Sequence, residues 1–271
     1  MAWALLSVLL GLGAVVVTAI AGEGSGAIAS SPIARALDWQ PALGLREPWR
    51  LWTCAWVHWS AAHLAVNLAG AAVVAFVGWR ARLPPAAAVA WIAAWPATQV
   101  VMSAIGSDRL AGVMPSYGGL SGVLHAGAVV LGLWLACPPE RRRSPARGRL
   151  SRADAGFAAT RASALEPSRI TEGPWAMTEI GAHTALPVST LDQPPPRVTG
   201  ERPLRGRWIG VAIVAGTLAK VVSEAPWDVV PRANATLGIA VAPVAHACGV
   251  AAGLLAWACA RTLGRRGQQA R

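Results

Sequence analysis

Three short stretches of the chain set polar, chemistry-bearing side chains inside or beside long apolar runs. The first is His58-Trp59-Ser60-Ala61-Ala62-His63-Leu64-Ala65-Val66-Asn67, in which His63 and Asn67 are four residues apart and share one face of a helix. Both can donate hydrogen bonds, either to a reacting oxygen or, as a polar clasp, to a neighbouring membrane helix. The second is Pro115-Ser116-Tyr117-Gly118-Gly119-Leu120-Ser121-Gly122-Val123-Leu124-His125. A serine between glycines at a helix start has an exposed hydroxyl and a backbone that a substrate can approach, and the first N–H groups of the helix suit a developing oxyanion. Small-residue helix packing would use the same Gly119, Ser121 and Gly122 pattern. The third is Ala245-His246-Ala247-Cys248-Gly249-Val250-Ala251-Ala252-Gly253, where Gly249 and Gly253 form a face that admits a close helix and His246 points to the same side. His246 is thus either a packed polar residue or a base within reach of the adjoining helix.

A hydroxyl nucleophile, an imidazole to take its proton and N–H donors for an oxyanion are the parts of serine acyl transfer. His125 is a second base candidate, four residues after Ser121, although on a regular helix its ring lies alongside the serine's backbone and packs or assists. His58 is a further possible assisting residue.

The elements that must position these groups are apolar helices. About 20 mainly apolar residues cross a bilayer, and six stretches qualify: 3–22, 61–79, 86–105, 119–137, 208–222 and 238–260. The expected fold class is all-α, a polytopic bundle of six transmembrane helices. The fifth span is the shortest and ends near Lys220, the chain's only lysine, placed to snorkel. Ala27-Ile28-Ala29 resembles a signal-peptide cleavage site, but Met1–Ala4 carries no positive charge and the apolar run is longer than a usual signal core, so the first span is read as retained.

With 54% hydrophobic and 14% charged residues, the 271-residue chain is neither an ordinary soluble domain nor a disordered one. A net charge of +11 would suggest a nucleic-acid binder only if the basic residues were gathered on a soluble surface. Instead they sort by side. With the N-terminus inside, Arg80, Arg82, 12 arginines of 138–207, and Arg261, Arg265, Arg266 and Arg271 account for 18 of the 24 basic residues. Arg35, Arg46, Arg50, Arg109, Lys220 and Arg232 remain outside, balanced there by six acids. This is the positive-inside pattern of an N-in, C-in protein, whose partners are the lipid bilayer and other membrane proteins, not nucleic acid. Residues 1–137 therefore hold four spans, 207–260 the last two, and 261–271 a basic cytoplasmic tail. Residues 138–206, with 10 of the 20 prolines, His183 and no apolar periodicity, read as a basic, largely disordered cytoplasmic insertion able to lie on anionic headgroups.

The three stretches agree in depth. Ser121 opens the fourth span from outside, His63 and Asn67 begin the second near the same surface, and His246 lies about two turns into the sixth. Trp49, Trp52, Trp56 and Trp59 recur at near-helical spacing before the second span and should anchor the first loop in the outer headgroup layer. The 223–237 segment should cap the site and gate it. Cys54, Cys137, Cys248 and Cys259 form no C-x-x-C pair and no short metal spacing with histidine, so no disulfide, metal or cofactor is expected.

Taken together the residues resemble the rhomboid family of intramembrane serine proteases. The resemblance rests on Glu47-Pro48-Trp49-Arg50, on His58 with His63-x-x-x-Asn67, on Gly119-Leu120-Ser121-Gly122, and on Ala245-His246 followed by Gly249 and Gly253, all in the family's order. It implies a Ser121–His246 dyad with His246 preferred over His125 as base. It also implies an oxyanion site of His63, Asn67 and backbone near Ser121, with Gly119 allowing the loop's shape. No acid accompanies the dyad inside the spans, so a two-member site is expected, its histidine oriented by packing and not by a carboxylate. Tyr117-Gly-Gly-Leu-Ser-Gly-Val-Leu-His125 in a compact chain looks like the rhombosortase branch, which implies membrane-anchored substrates with C-terminal Gly-Gly-type anchors, processed on the periplasmic side of a bacterial inner membrane. The insertion at 138–206 departs from that branch but enters on the cytoplasmic side. Two other readings are a catalytically inactive rhomboid-like binder of membrane proteins and a small transporter. The second would predict inverted repeats and acids in the spans, which the sequence lacks.

Overall fold

A computed structural model of the chain describes residues 1–22, 31–138 and 204–269. The Ala27–Ala29 stretch, His183 and nearly all of the basic insertion lie outside the described residues.

The described residues form a helical bundle. Its long helices are α1 (Ala2–Ala21), α2 (Ala61–Arg80), α3 (Pro85–Ala104), α4 (Ser121–Ala136), α5 (Leu204–Ser223) and α6 (Pro243–Gln269). Their starts follow local chemistry. The Ser60 hydroxyl accepts the His63 N–H and caps α2 at 3.1 Å, while Pro85 and Pro243 open α3 and α6 where a missing N–H costs no helical bond. Five of the six are long and apolar enough to cross a membrane. The exception is α4. A span over 119–137 was expected, but the helix covers 16 residues, roughly 24 Å at 1.5 Å per residue. It is buried nearly all round, packed by α2, α3, α5 and α6, as an apolar-on-all-sides helix must be.

Two further boundaries differ from expectation. The sixth span was expected from 238, but Ile239–Val241 (β2) pairs antiparallel with Arg232–Asn234 (β1), and helix begins only at Pro243. The intervening turn is closed by Asn234 Oδ1, which accepts the Leu237 N–H, and by Gly238 at φ +63°. The basic tail expected from 261 instead continues α6, and Arg261 donates to the Cys137 carbonyl at 3.0 Å.

Small residues bring helices into contact at the centre. A Cβ on Gly253 would lie 2.7 Å from the Ala126 carbonyl oxygen, and one on Gly249 would strike the carbonyl of Gly122 outright. α6 therefore rides directly on the backbone of α4, the close approach that the glycine spacing implied.

The first loop is held by Arg50. Its buried guanidinium donates to the carbonyls of Arg35 and Asp38, to Asp38 Oδ1 at 2.9 Å and to Glu47 Oε2. Next to Asp38, Trp39 exchanges two backbone hydrogen bonds with Tyr117, of 2.9 and 2.8 Å, and the Gly119 N–H donates to the Cys54 carbonyl at 2.9 Å. The segment leading into Ser121 is thus pinned to the first loop by three backbone bonds.

Candidate functional site

Ser121, His246, His63 and Asn67 line one cavity of about 1070 Å³, together with His125, Glu224 and the strand segment 230–234. Ser121 is the first residue of α4, so the N–H groups beside it have no intrahelical acceptor. His246 lies in the first turn of α6, facing α4 at the glycine contact. Ala245 O comes within 3.1 Å of where a Gly122 Cβ would be, so the two helices cross in close backbone contact next to Ser121 and His246 in sequence.

His125, the second base candidate, touches both members of the pair. Its Nδ1 donates 2.6 Å to the Ser121 carbonyl oxygen, and its ring stacks on His246 with centroids 4.3 Å apart and planes 16° from parallel. In the tautomer that makes this bond its Nε2 carries no proton.

His63 and Asn67, both buried, share one face of α2 toward the cavity. Gly119, at φ +127°, runs so close to His63 that a Cβ there would lie 2.8 Å from its Nε2. Gly119 contributes shape; its own N–H is taken by Cys54 and is not free for an oxyanion. No partner for His63 Nδ1 is present among the described residues. His58 lies behind His63 with ring centroids 4.8 Å apart, is 1% exposed, and does not line the cavity. Its Nδ1 donates to the Trp56 carbonyl at 3.2 Å, and burial pushes it down to about 4, so it is a neutral support for the ring in front of it.

The tryptophan series splits. Trp52 and Trp56 pack edge-on against Trp95 of α3, Trp59 lines the cavity, and Trp49 remains half exposed. Two of the four therefore bind the first loop to the bundle instead of serving only as interfacial anchors. From the 223–237 segment, Val230–Asn234 and Leu237 wall the cavity, and the Ser60 hydroxyl donates to the Leu237 carbonyl.

One expectation is overturned. The histidine was to be oriented by packing alone, yet Glu224, the first residue beyond α5, places Oε2 2.6 Å from His246 Nδ1. Its other oxygen accepts from Lys220 Nζ at 2.7 Å, so Lys220 is engaged at the site's edge, not simply snorkelling. Burial by itself would raise the Glu224 carboxyl, but hydrogen bonds from His246 and Lys220 outweigh it and hold the group at about 2. Glu224 lies just outside the fifth apolar span. The signal available was the i, i+4 pair Lys220 and Glu224 closing the fifth span on the side of the dyad.

Among the described residues no group of three or more His, Cys, Asp or Glu is placed to hold a metal ion. No family model matches the chain, and neither a curated protein nor a solved structure matches it.

Proposed function

We propose that the protein is a rhomboid-like intramembrane serine endopeptidase with a six-span, N-in, C-in topology, α4 being the short central span. The observation that carries this reading is that Ser121 and His246, from helices that cross closely at glycines, line one cavity with His63 and Asn67. In the reaction, Ser121 Oγ attacks the scissile carbonyl and His246 takes its proton. His63, Asn67 and the N–H groups at the start of α4 stabilise the oxyanion, and His246 then protonates the leaving amine. Water in the cavity hydrolyses the acyl-enzyme by the reverse proton route. The distribution of arginines supports an inner-membrane orientation with the site toward the periplasm. The Tyr117–His125 run supports rhombosortase-type processing of C-terminal Gly-Gly anchors on membrane-anchored proteins.

Two experiments test the reading in sequence. A fluorophosphonate probe should label the full chain in detergent, and labelling should vanish in Ser121→Ala and fall sharply in His246→Ala. Equal labelling of Ser121→Ala would overturn the protease reading in favour of an inactive membrane-protein binder. Co-expression with a Gly-Gly-anchored protein should then show loss of its tail only when Ser121 and His246 are intact; an unprocessed tail beside a labelled enzyme would remove the rhombosortase assignment alone.

A further inference from the structure

The two ring nitrogens of His246 can be given separate jobs. Glu224 Oε2 lies 2.6 Å from Nδ1, and Glu224 Oε1 lies 2.7 Å from Lys220 Nζ, so each carboxylate oxygen has a donor. An ionised carboxylate has no proton to give, so the proton of the first bond sits on Nδ1. In a neutral imidazole that leaves Nε2 bare, and it is the nitrogen able to accept a proton from a hydroxyl. Stacking by His125 fixes the plane of the His246 ring but not which nitrogen points where, because a ring turned over in its own plane stacks equally well. Glu224 removes that freedom.

We propose that Glu224 is a positioning residue for His246, fixing its tautomer and aim through Nδ1, and that Lys220 fixes Glu224 in turn. This rests on reading Ser121 and His246 as the protease pair. The carboxylate also stabilises the imidazolium formed when the serine's proton arrives, as the third member of a serine triad does. The acid reaches the dyad from outside the spans. Ala225, at φ +52°, turns the chain immediately after Glu224, so the carboxylate is delivered at the cavity rim, where its side chain is 26% exposed, and no charge need be buried in hydrocarbon. The contact also gives α5, which carries none of the dyad, a direct hold on the base.

The test uses the full chain in detergent with an anchored peptide substrate and a fluorophosphonate probe. Glu224→Gln keeps the shape but can donate as well as accept, so it no longer dictates the tautomer. It should lower kcat by about 100-fold with KM little changed. Glu224→Asp, which keeps the charge, should recover part of that loss. A Glu224→Gln kcat within about threefold of wild type, or a loss confined to KM, or Glu224→Asp no faster than Glu224→Gln, overturns the proposal. Should Glu224→Gln not fold, Glu224→Ala with and without formate decides: a formate-dependent rise in rate sustains the positioning role, and a flat response overturns it. Wild type unlabelled at Ser121 would sink the protease reading itself, whereas wild type and Glu224→Gln labelled equally fast would sink only the role of Glu224.

Discussion

His125 and His246 lie face to face, their centroids 4.3 Å apart, and His125 Nδ1 donates to the Ser121 carbonyl at 2.6 Å. A residue that merely stacks can be replaced by another flat ring; a base cannot. His125→Phe should therefore retain most of the Ser121 labelling rate, while His125→Ala, which leaves His246 without its neighbour, should lose about tenfold or more. Activity abolished to the same extent in both variants would mean that His125 takes the proton.

The glycines at the site are held to their identity by different neighbours. Alanine at Gly119 would sit at φ +127° with its Cβ 2.7 Å from His63 Cε1, so either the loop or the ring must move. Backbone strain of that kind costs on the order of 1–3 kcal/mol. Gly119→Ala should thus abolish labelling by displacing the oxyanion donor, with a modest fall in melting temperature. Gly249→Ala instead meets the carbonyl of Gly122 and must push α6 off α4, so it should show the larger fall in melting temperature as well as lost labelling. Gly264, with open space around it, provides the control: Gly264→Ala should leave both measurements unchanged.

Much of this was legible in the sequence because apolar length and polar exceptions to it are local signals. The ranges of α1, α2 and α3 fall within a residue or so of the expected spans, and Ser121, His63, Asn67 and His246 line one cavity. What escaped was set by contacts between segments far apart. The length of α4 is decided by the loop that Trp39 and Cys54 hold beneath Tyr117 and Gly119, which no periodicity records. The start of α6 was displaced because Ile239–Val241 found a strand partner in Arg232–Asn234. Glu224 escaped because the rule that acids are rare in spans directs attention to the spans, and this acid reaches the base from just beyond one.

Arg50 is the strongest candidate for a purely structural substitution effect. Its side chain is 9% exposed and that of Asp38 is 2% exposed, and its guanidinium serves two carbonyls and two carboxylates at once. Removing one partner of such a buried pair leaves the other charge uncompensated, a cost of about 3–5 kcal/mol. Arg50→Gln should accordingly unfold at markedly lower temperature. Arg50→Lys should be nearly as damaging, since a single ammonium cannot span the same acceptors. Because Trp39 follows Asp38 and holds Tyr117, labelling of Ser121 should fall along with stability in both variants. A stable Arg50→Lys with intact labelling would show that charge alone suffices.

The acid dependence of stability has a sign fixed by Glu224. Its carboxyl is depressed from an ordinary 4.5 to about 2, so the stabilisation it contributes is fully present above 4.5 and is lost as pH falls through about 2. The melting-temperature advantage of wild type over Glu224→Gln should therefore hold steady on acidification from neutral pH to 4.5 and close only below it. Any fall in Ser121 labelling above that range must then arise elsewhere. His246 is faced by Glu224 on one side and by His125 on the other, with His63 and Lys220 on the same cavity and Cys248 two residues further along its own helix. Any acid limb of the labelling profile above 4.5 should therefore persist in Glu224→Gln. A profile that became flat in Glu224→Gln would assign the limb to the carboxyl and contradict the strong depression of that group.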